Sequence, residues 1–134
     1  KFTSVRSPYT RIESLFRHHI NPKNWSQESF EEFSNSFPKN EKFEYGHNLN
    51  SHKHLQTDFL INSKGNFNEN INIIKFENIV KDLKDFEEKF CIRKNRKINT
   101  QKIKNSSLKL SKKIIKAVNK YYLRDIELLN YKIL

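Results

Sequence analysis

The sequence contains a single cysteine, Cys91, which excludes an internal disulfide framework and a cysteine-based zinc site. Flanked by Phe90 and Ile92, it reads as a small buried hydrophobe. Glycine and proline are scarce, at two and three residues. Few tight turns are therefore encoded locally, and several connections are expected to be longer polar loops. No apolar run approaches the roughly 20 residues that span a bilayer as a helix. Acidic residues are in deficit, with 15 Asp and Glu against 26 Lys and Arg, for a net charge of +11. A basic chain attracts anions. Most of the excess here is lysine, in a chain also rich in Asn and Ile, a mixture that AT-rich coding produces unaided. Position therefore carries more weight than the total.

What the chain does have is aromatic side chains, 13% of 134 residues and mostly Phe. That suffices for one modest core and leaves no room for two. Residues 2–5 read as a short buried strand, and Arg6-Ser7-Pro8 as a turn. Pro8 suits the first position of a helix. Tyr9, Ile12, Leu15, Phe16 and Ile20 give one apolar helix face over 9–20, which Asn21-Pro22 ends. Ser26 caps a second helix with Glu28 in its first turn and a buried stripe of Phe30, Phe33 and Phe37. Residues 38–53 form a polar loop. A short helix or turn follows over 54–61, anchored by Leu55, Phe59 and Leu60. A turn region with Gly65 leads to a second strand, Ile71 to Phe76. Ile79, Val80, Leu83, Phe86 and Phe90 mark a helix over 79–90. Residues 92–109 are basic and aperiodic. Ser111 caps a last helix whose face includes Ile114, Ile115, Val118, Tyr122 and Ile126. Strands alternating with helices predict a helix-rich α/β fold with few parallel strands. Two strands alone do not make a stable sheet, so the chain is expected to be part of a larger α/β domain or to need a partner.

The stretch richest in chemistry is Val5-Arg6-Ser7-Pro8-Tyr9-Thr10-Arg11-Ile12-Glu13-Ser14. A strand ends, an arginine follows at once, and a helix starts two residues later. Free backbone N–H groups at a helix start favour an anion, and the Arg6 guanidinium can fork onto phosphate oxygens. Ser14, about two turns into the helix, can add a directional hydrogen bond. Arg11 is expected to pair with a carboxylate, Glu77 or Asp125. Glu77 is expected to be buried and paired, and Tyr122 and Asp125 to hold the last helix on the core. His18 and His19 suit a helix C-terminus. The spacing of His47, His52 and His54 points to no metal site.

This segment resembles the 3′-phosphate-binding motif of the PAPS-dependent sulfotransferases, Arg-x-Pro-aromatic-x-Arg-Leu/Ile-x-Ser at the end of a strand. Arg6, Pro8, Tyr9, Arg11, Ile12 and Ser14 match, while Ser7 stands where Asp or Asn is usual. Phe30-Glu31-Glu32-Phe33, His54-Leu55-Gln56, Ile74-Lys75-Phe76-Glu77-Asn78-Ile79 with Asp82, and Tyr122-Leu123-Arg124-Asp125-Ile126 with Asn130-Tyr131 resemble later family segments, in order. The carbohydrate (Golgi-type) branch and its bacterial relatives are the most similar.

The resemblance implies a P-loop-like, three-layer sulfotransferase fold, of which residues 1–134 would be a single partial domain. It implies sulfuryl transfer from 3′-phosphoadenosine 5′-phosphosulfate to a hydroxyl acceptor, carbohydrate above all. Arg6 and Ser14 would hold the 3′-phosphate, Asn99 and Thr100 would contact the nucleotide, and His52 or His54 could touch donor or acceptor. No metal, nucleic acid or membrane contact is implied, and no catalytic residue is assigned. Relatives are cytoplasmic in bacteria and Golgi-lumenal in eukaryotes. The family's Gly- and Lys-rich 5′-phosphosulfate loop has no counterpart in the sequence, since Lys64-Gly65 lacks the flanking pattern. The chain is accordingly expected to be incomplete, and inactive by itself. Two alternatives stay open: a basic anion-binding module for nucleic acid or acidic glycan, using residues 92–113, and a sulfotransferase-like remnant without activity.

Overall fold

The computed structural model describes residues 2–37, 53–62, 64–68, 70–91 and 108–134. Strand β1 (Phe2–Val5) leads into helix α1 (Pro8–His19) and helix α2 (Gln27–Ser36). A 3₁₀ turn at Gln56–Phe59 precedes strand β2 (Asn72–Lys75), helix α3 (Ile79–Lys89) and helix α4 (Lys112–Leu128). β1 and β2 pair in parallel with Val5 opposite Lys75, so the chain is an α/β protein. Among the described residues the sheet has these two strands.

Local chemistry explains the boundaries. Pro8 opens α1, where a missing N–H costs nothing. The Ser26 hydroxyl accepts from Ser29 N–H at 3.1 Å while the Ser29 hydroxyl accepts from Ser26 N–H at 3.1 Å, a reciprocal cap on α2. The Ser111 hydroxyl accepts from Ile114 N–H at the start of α4. Gly65, at φ +79, turns the chain between Ile61 and Phe67, which bridge.

The main core lies among α1, α2 and α4. The Phe16 ring, wholly buried, sits 5.1 Å from Phe30 and 5.5 Å from Phe33. Ile114, Val118, Tyr122 and Ile126 close it from α4. Each such side chain contributes about 1.5–3 kcal/mol of burial. A smaller cluster of Val5, Leu60 and Leu129 ties β1 to the end of α4.

Several expected burials are corrected. Only Val5 of β1 is buried; Phe2 is 57% exposed and leans on Phe86 at 4.9 Å. α3 buries none of its residues, and Val80 and Phe90 are exposed, because no element covers its outer side among the described residues. Phe59 is exposed, leaving Leu60 as the buried anchor of that turn. Cys91 is exposed, since the chain leaves α3 there with φ 52. The loop expected over 38–53 lies outside the described residues apart from Lys53, and the basic stretch over 92–109 apart from its last two residues.

Candidate functional site

At the C-terminal ends of β1 and β2 a cleft of about 250 Å³ opens beside α1. Crevices at the carboxyl ends of parallel strands are the usual ligand sites of open α/β sheets. The cleft is lined by Ser4, Val5, Arg6, Arg11, Ser14, Leu15, Gln56 and Phe76. Arg6 and Ser14, eight residues apart in sequence, thus meet in one site. Arg11, Ser14 and Leu15 share a face of α1 because residues three and four apart align on a helix.

Arg6 follows directly on β1, and its side chain is half-buried. Its guanidinium carbon lies 4.5 Å from the Phe76 ring centroid, and its Nε donates to Thr10 Oγ1 at 3.2 Å. These contacts fix the plane of the guanidinium and leave its two terminal nitrogens for other acceptors. Arg6 makes no ion pair among the described residues. The Ser14 hydroxyl, half-buried, makes no hydrogen bond to another described residue.

Behind the cleft stands Asp125, wholly buried on α4. Its carboxylate accepts from the backbone N–H of Gln56 and of Thr57, both at 2.9 Å, and from Thr57 Oγ1 at 2.8 Å. Arg11 lies 3.7 Å from the same carboxylate, so Asp125 rather than Glu77 is its partner. The Arg11 guanidinium also sits 5.5 Å from the Tyr122 ring centroid. Tyr122 and Asp125 hold α4 on the core as the sequence suggests. Burial pushes the Tyr122 phenol well above its usual pKa of 10.0, with the Arg11 charge opposing.

Glu77 departs from expectation. It is exposed, yet engaged. Its carboxylate accepts from Ser7 N–H at 2.7 Å, from Thr10 Oγ1 at 3.4 Å and from the Tyr131 hydroxyl at 3.2 Å. The anion at the start of α1 is therefore the protein's own. The cleft must attract a ligand through side chains, not through the helix terminus. Tyr131 is raised above its usual pKa by burial and by the Glu77 charge.

Asn99, Thr100 and His52 lie outside the described residues. His54 is exposed and does not line the cleft. Gln56 and Phe76 also line the cleft, and nothing in the sequence around them marks a site role. Only their spatial neighbour, Arg6, reveals one. Among the described residues no group of three His, Cys, Asp or Glu side chains could hold a metal ion, and no helix is long and apolar enough to cross a membrane.

Two guanidinium groups, two serine hydroxyls and no carboxylate line this cleft. Such a set suits a small dianion with three or more acceptor oxygens. The volume is below the roughly 300–1,000 Å³ of sites that enclose a whole drug-sized molecule. It accommodates a phosphate group and part of what carries it. Comparison of the chain with protein-family models, with curated proteins and with solved structures finds no match, so the functional reading rests on these residues themselves.

Proposed function

We propose that the cleft binds a terminal phosphate monoester, the 3′-phosphate of 3′-phosphoadenosine 5′-phosphosulfate, and that the chain supplies this half of a sulfotransferase site. The observation that carries the reading is the meeting of Arg6, Arg11 and Ser14 in a carboxylate-free cleft at the strand ends. The ordered sequence resemblance supports it by naming the nucleotide. On this reading the fold is the corresponding part of a P-loop-like three-layer domain, and the acceptor is a hydroxyl, carbohydrate above all. Arg6 supplies charge and a forked donor, and Ser14 a directional hydrogen bond. Asn99 and Thr100 are proposed as further nucleotide contacts. In sulfuryl transfer the protein mainly positions donor and acceptor and neutralises donor charge. The residues of this cleft would do so at the nucleotide's 3′ end. No residue is assigned as catalytic base.

The test is titration of the chain with 3′-phosphoadenosine 5′-phosphate and with adenosine 5′-phosphate, read by calorimetry and thermal shift. The 3′-phosphorylated nucleotide is expected to bind more tightly. Arg6→Ala should abolish the preference, a loss of about 10- to 100-fold, because hydrogen bonds to charged groups contribute about 1.5–3 kcal/mol. Ser14→Ala should cost about threefold to tenfold. Equal, salt-sensitive binding of any polyanion would favour a basic binding module instead.

A further inference from the structure

We infer that Gln56 is a positioning residue for the anion site, holding Arg6 in its binding pose from a base fixed by Asp125. The inference rests on the phosphate-site reading above. Gln56 lines the cleft, yet its amide is committed at both ends. Its Oε1 accepts from the Arg6 backbone N–H at 2.8 Å, and its Nε2 donates to the Arg6 carbonyl at 2.8 Å. One side chain thus saturates both polar groups of the residue that leaves the sheet edge. This is the pairing a neighbouring strand would otherwise provide.

Gln56 is itself anchored. Its backbone N–H donates to Asp125 Oδ2 at 2.9 Å, and its Nε2 lies 3.4 Å from the same oxygen. The next residue adds two further bonds to Oδ1, from Thr57 N–H and Thr57 Oγ1. Asp125 also faces Arg11 at 3.7 Å. One wholly buried carboxylate on α4 therefore fixes both arginines of the cleft, Arg11 by charge and Arg6 through the Gln56 amide. The sequence separations are 50 residues from Arg6 to Gln56 and 69 from Gln56 to Asp125. A guanidinium displaced by about 1 Å loses a forked contact with phosphate, so a rigid base under Arg6 acts on affinity without touching the ligand.

The experiment uses the full chain and the same two nucleotides. Gln56→Met keeps the length and volume of the side chain and removes both bonds to Arg6. The ratio of affinities, 3′-phosphoadenosine 5′-phosphate over adenosine 5′-phosphate, is expected to fall about tenfold. A merely structural residue would weaken both ligands alike or lower the melting temperature without moving the ratio. Gln56→Leu gives the same readout where the Met variant does not fold. A ratio that stays at the wild-type value in Gln56→Met, while Arg6→Ala abolishes it, overturns the positioning role and leaves the phosphate site standing. A wild-type chain with no preference for the 3′-phosphate overturns both.

Discussion

Tyr122 combines three constraints in one residue. Its side chain is wholly buried, and its hydroxyl has no hydrogen-bond partner among the described residues. Its backbone, at φ −104 and ψ 19, interrupts the helical geometry of α4. A buried unpaired hydroxyl forfeits its hydration without compensation. Tyr122→Phe keeps the ring and deletes only that group, so stability near neutral pH is expected to be unchanged or to rise by about 1 kcal/mol. The alkaline behaviour follows by linkage. Burial raises the phenol above 10.0 in the folded chain, so the native state holds its proton where the unfolded chain has released it. The resulting contribution is fully present below pH 10 and is lost as pH rises further. Tyr131 adds a contribution of the same sign. Urea midpoints at about pH 8 and about pH 11 are expected to differ less in Tyr122→Phe than in the wild type. A large loss at about pH 8 would instead reveal a hydrogen bond to this hydroxyl.

At the scale of elements, capping sets the boundaries more firmly than apolar patterning sets burial. α2 begins where Ser26 and Ser29 exchange hydrogen bonds. Ser26→Ala is expected to lower stability by about 1 kcal/mol, visible as a shifted denaturant midpoint with an unchanged slope. This signal was legible in the sequence, as were Pro8 at the start of α1 and Ser111 before α4, because caps and helix-opening prolines act within a turn of their own position. β1 and β2 were legible to within a residue for the same local reason. Burial was less so. Phe30 and Phe33 are buried because α4 packs over them, whereas Val80 and Phe90, on an equally periodic helix, are exposed because no described element covers α3 there. Periodicity states which face is apolar and is silent on what covers it. The site divides likewise. Arg6 and Ser14 were readable from one strand–turn–helix segment. Gln56 was not, because its role depends on pairings 50 and 69 residues away. Glu77 was misread as buried because its capping of the α1 start needs β2 to end beside β1.

Across the whole molecule the charge of +11 is unevenly spread. α3 carries Asp82, Asp85, Glu87 and Glu88 against Lys81, Lys84 and Lys89. The exposed side of α4 carries Lys112, Lys113, Lys116, Lys120 and Arg124, with Lys113 paired to Glu31 at 3.3 Å and Arg124 to Asp58 at 3.2 Å. Two kinds of anion binding are therefore open to this chain, and salt separates them. A polyanion lying along exposed lysines gains mainly from released counterions, and about six such contacts lose roughly 10³ in affinity between 50 and 200 mM salt. A phosphate in the cleft meets Arg6 and Arg11 in a half-buried setting, where hydrogen-bond geometry matters and screening is weaker. The affinity for 3′-phosphoadenosine 5′-phosphate is accordingly expected to fall by less than about tenfold over that range. Heparin or duplex DNA, titrated in parallel, should show the steep decline. Lys116→Glu with Lys120→Glu should weaken the polyanion and spare the nucleotide, and Arg6→Ala should do the reverse. A nucleotide affinity that collapses with salt as steeply as the polyanion's would move the binding out of the cleft and onto the lysine surface.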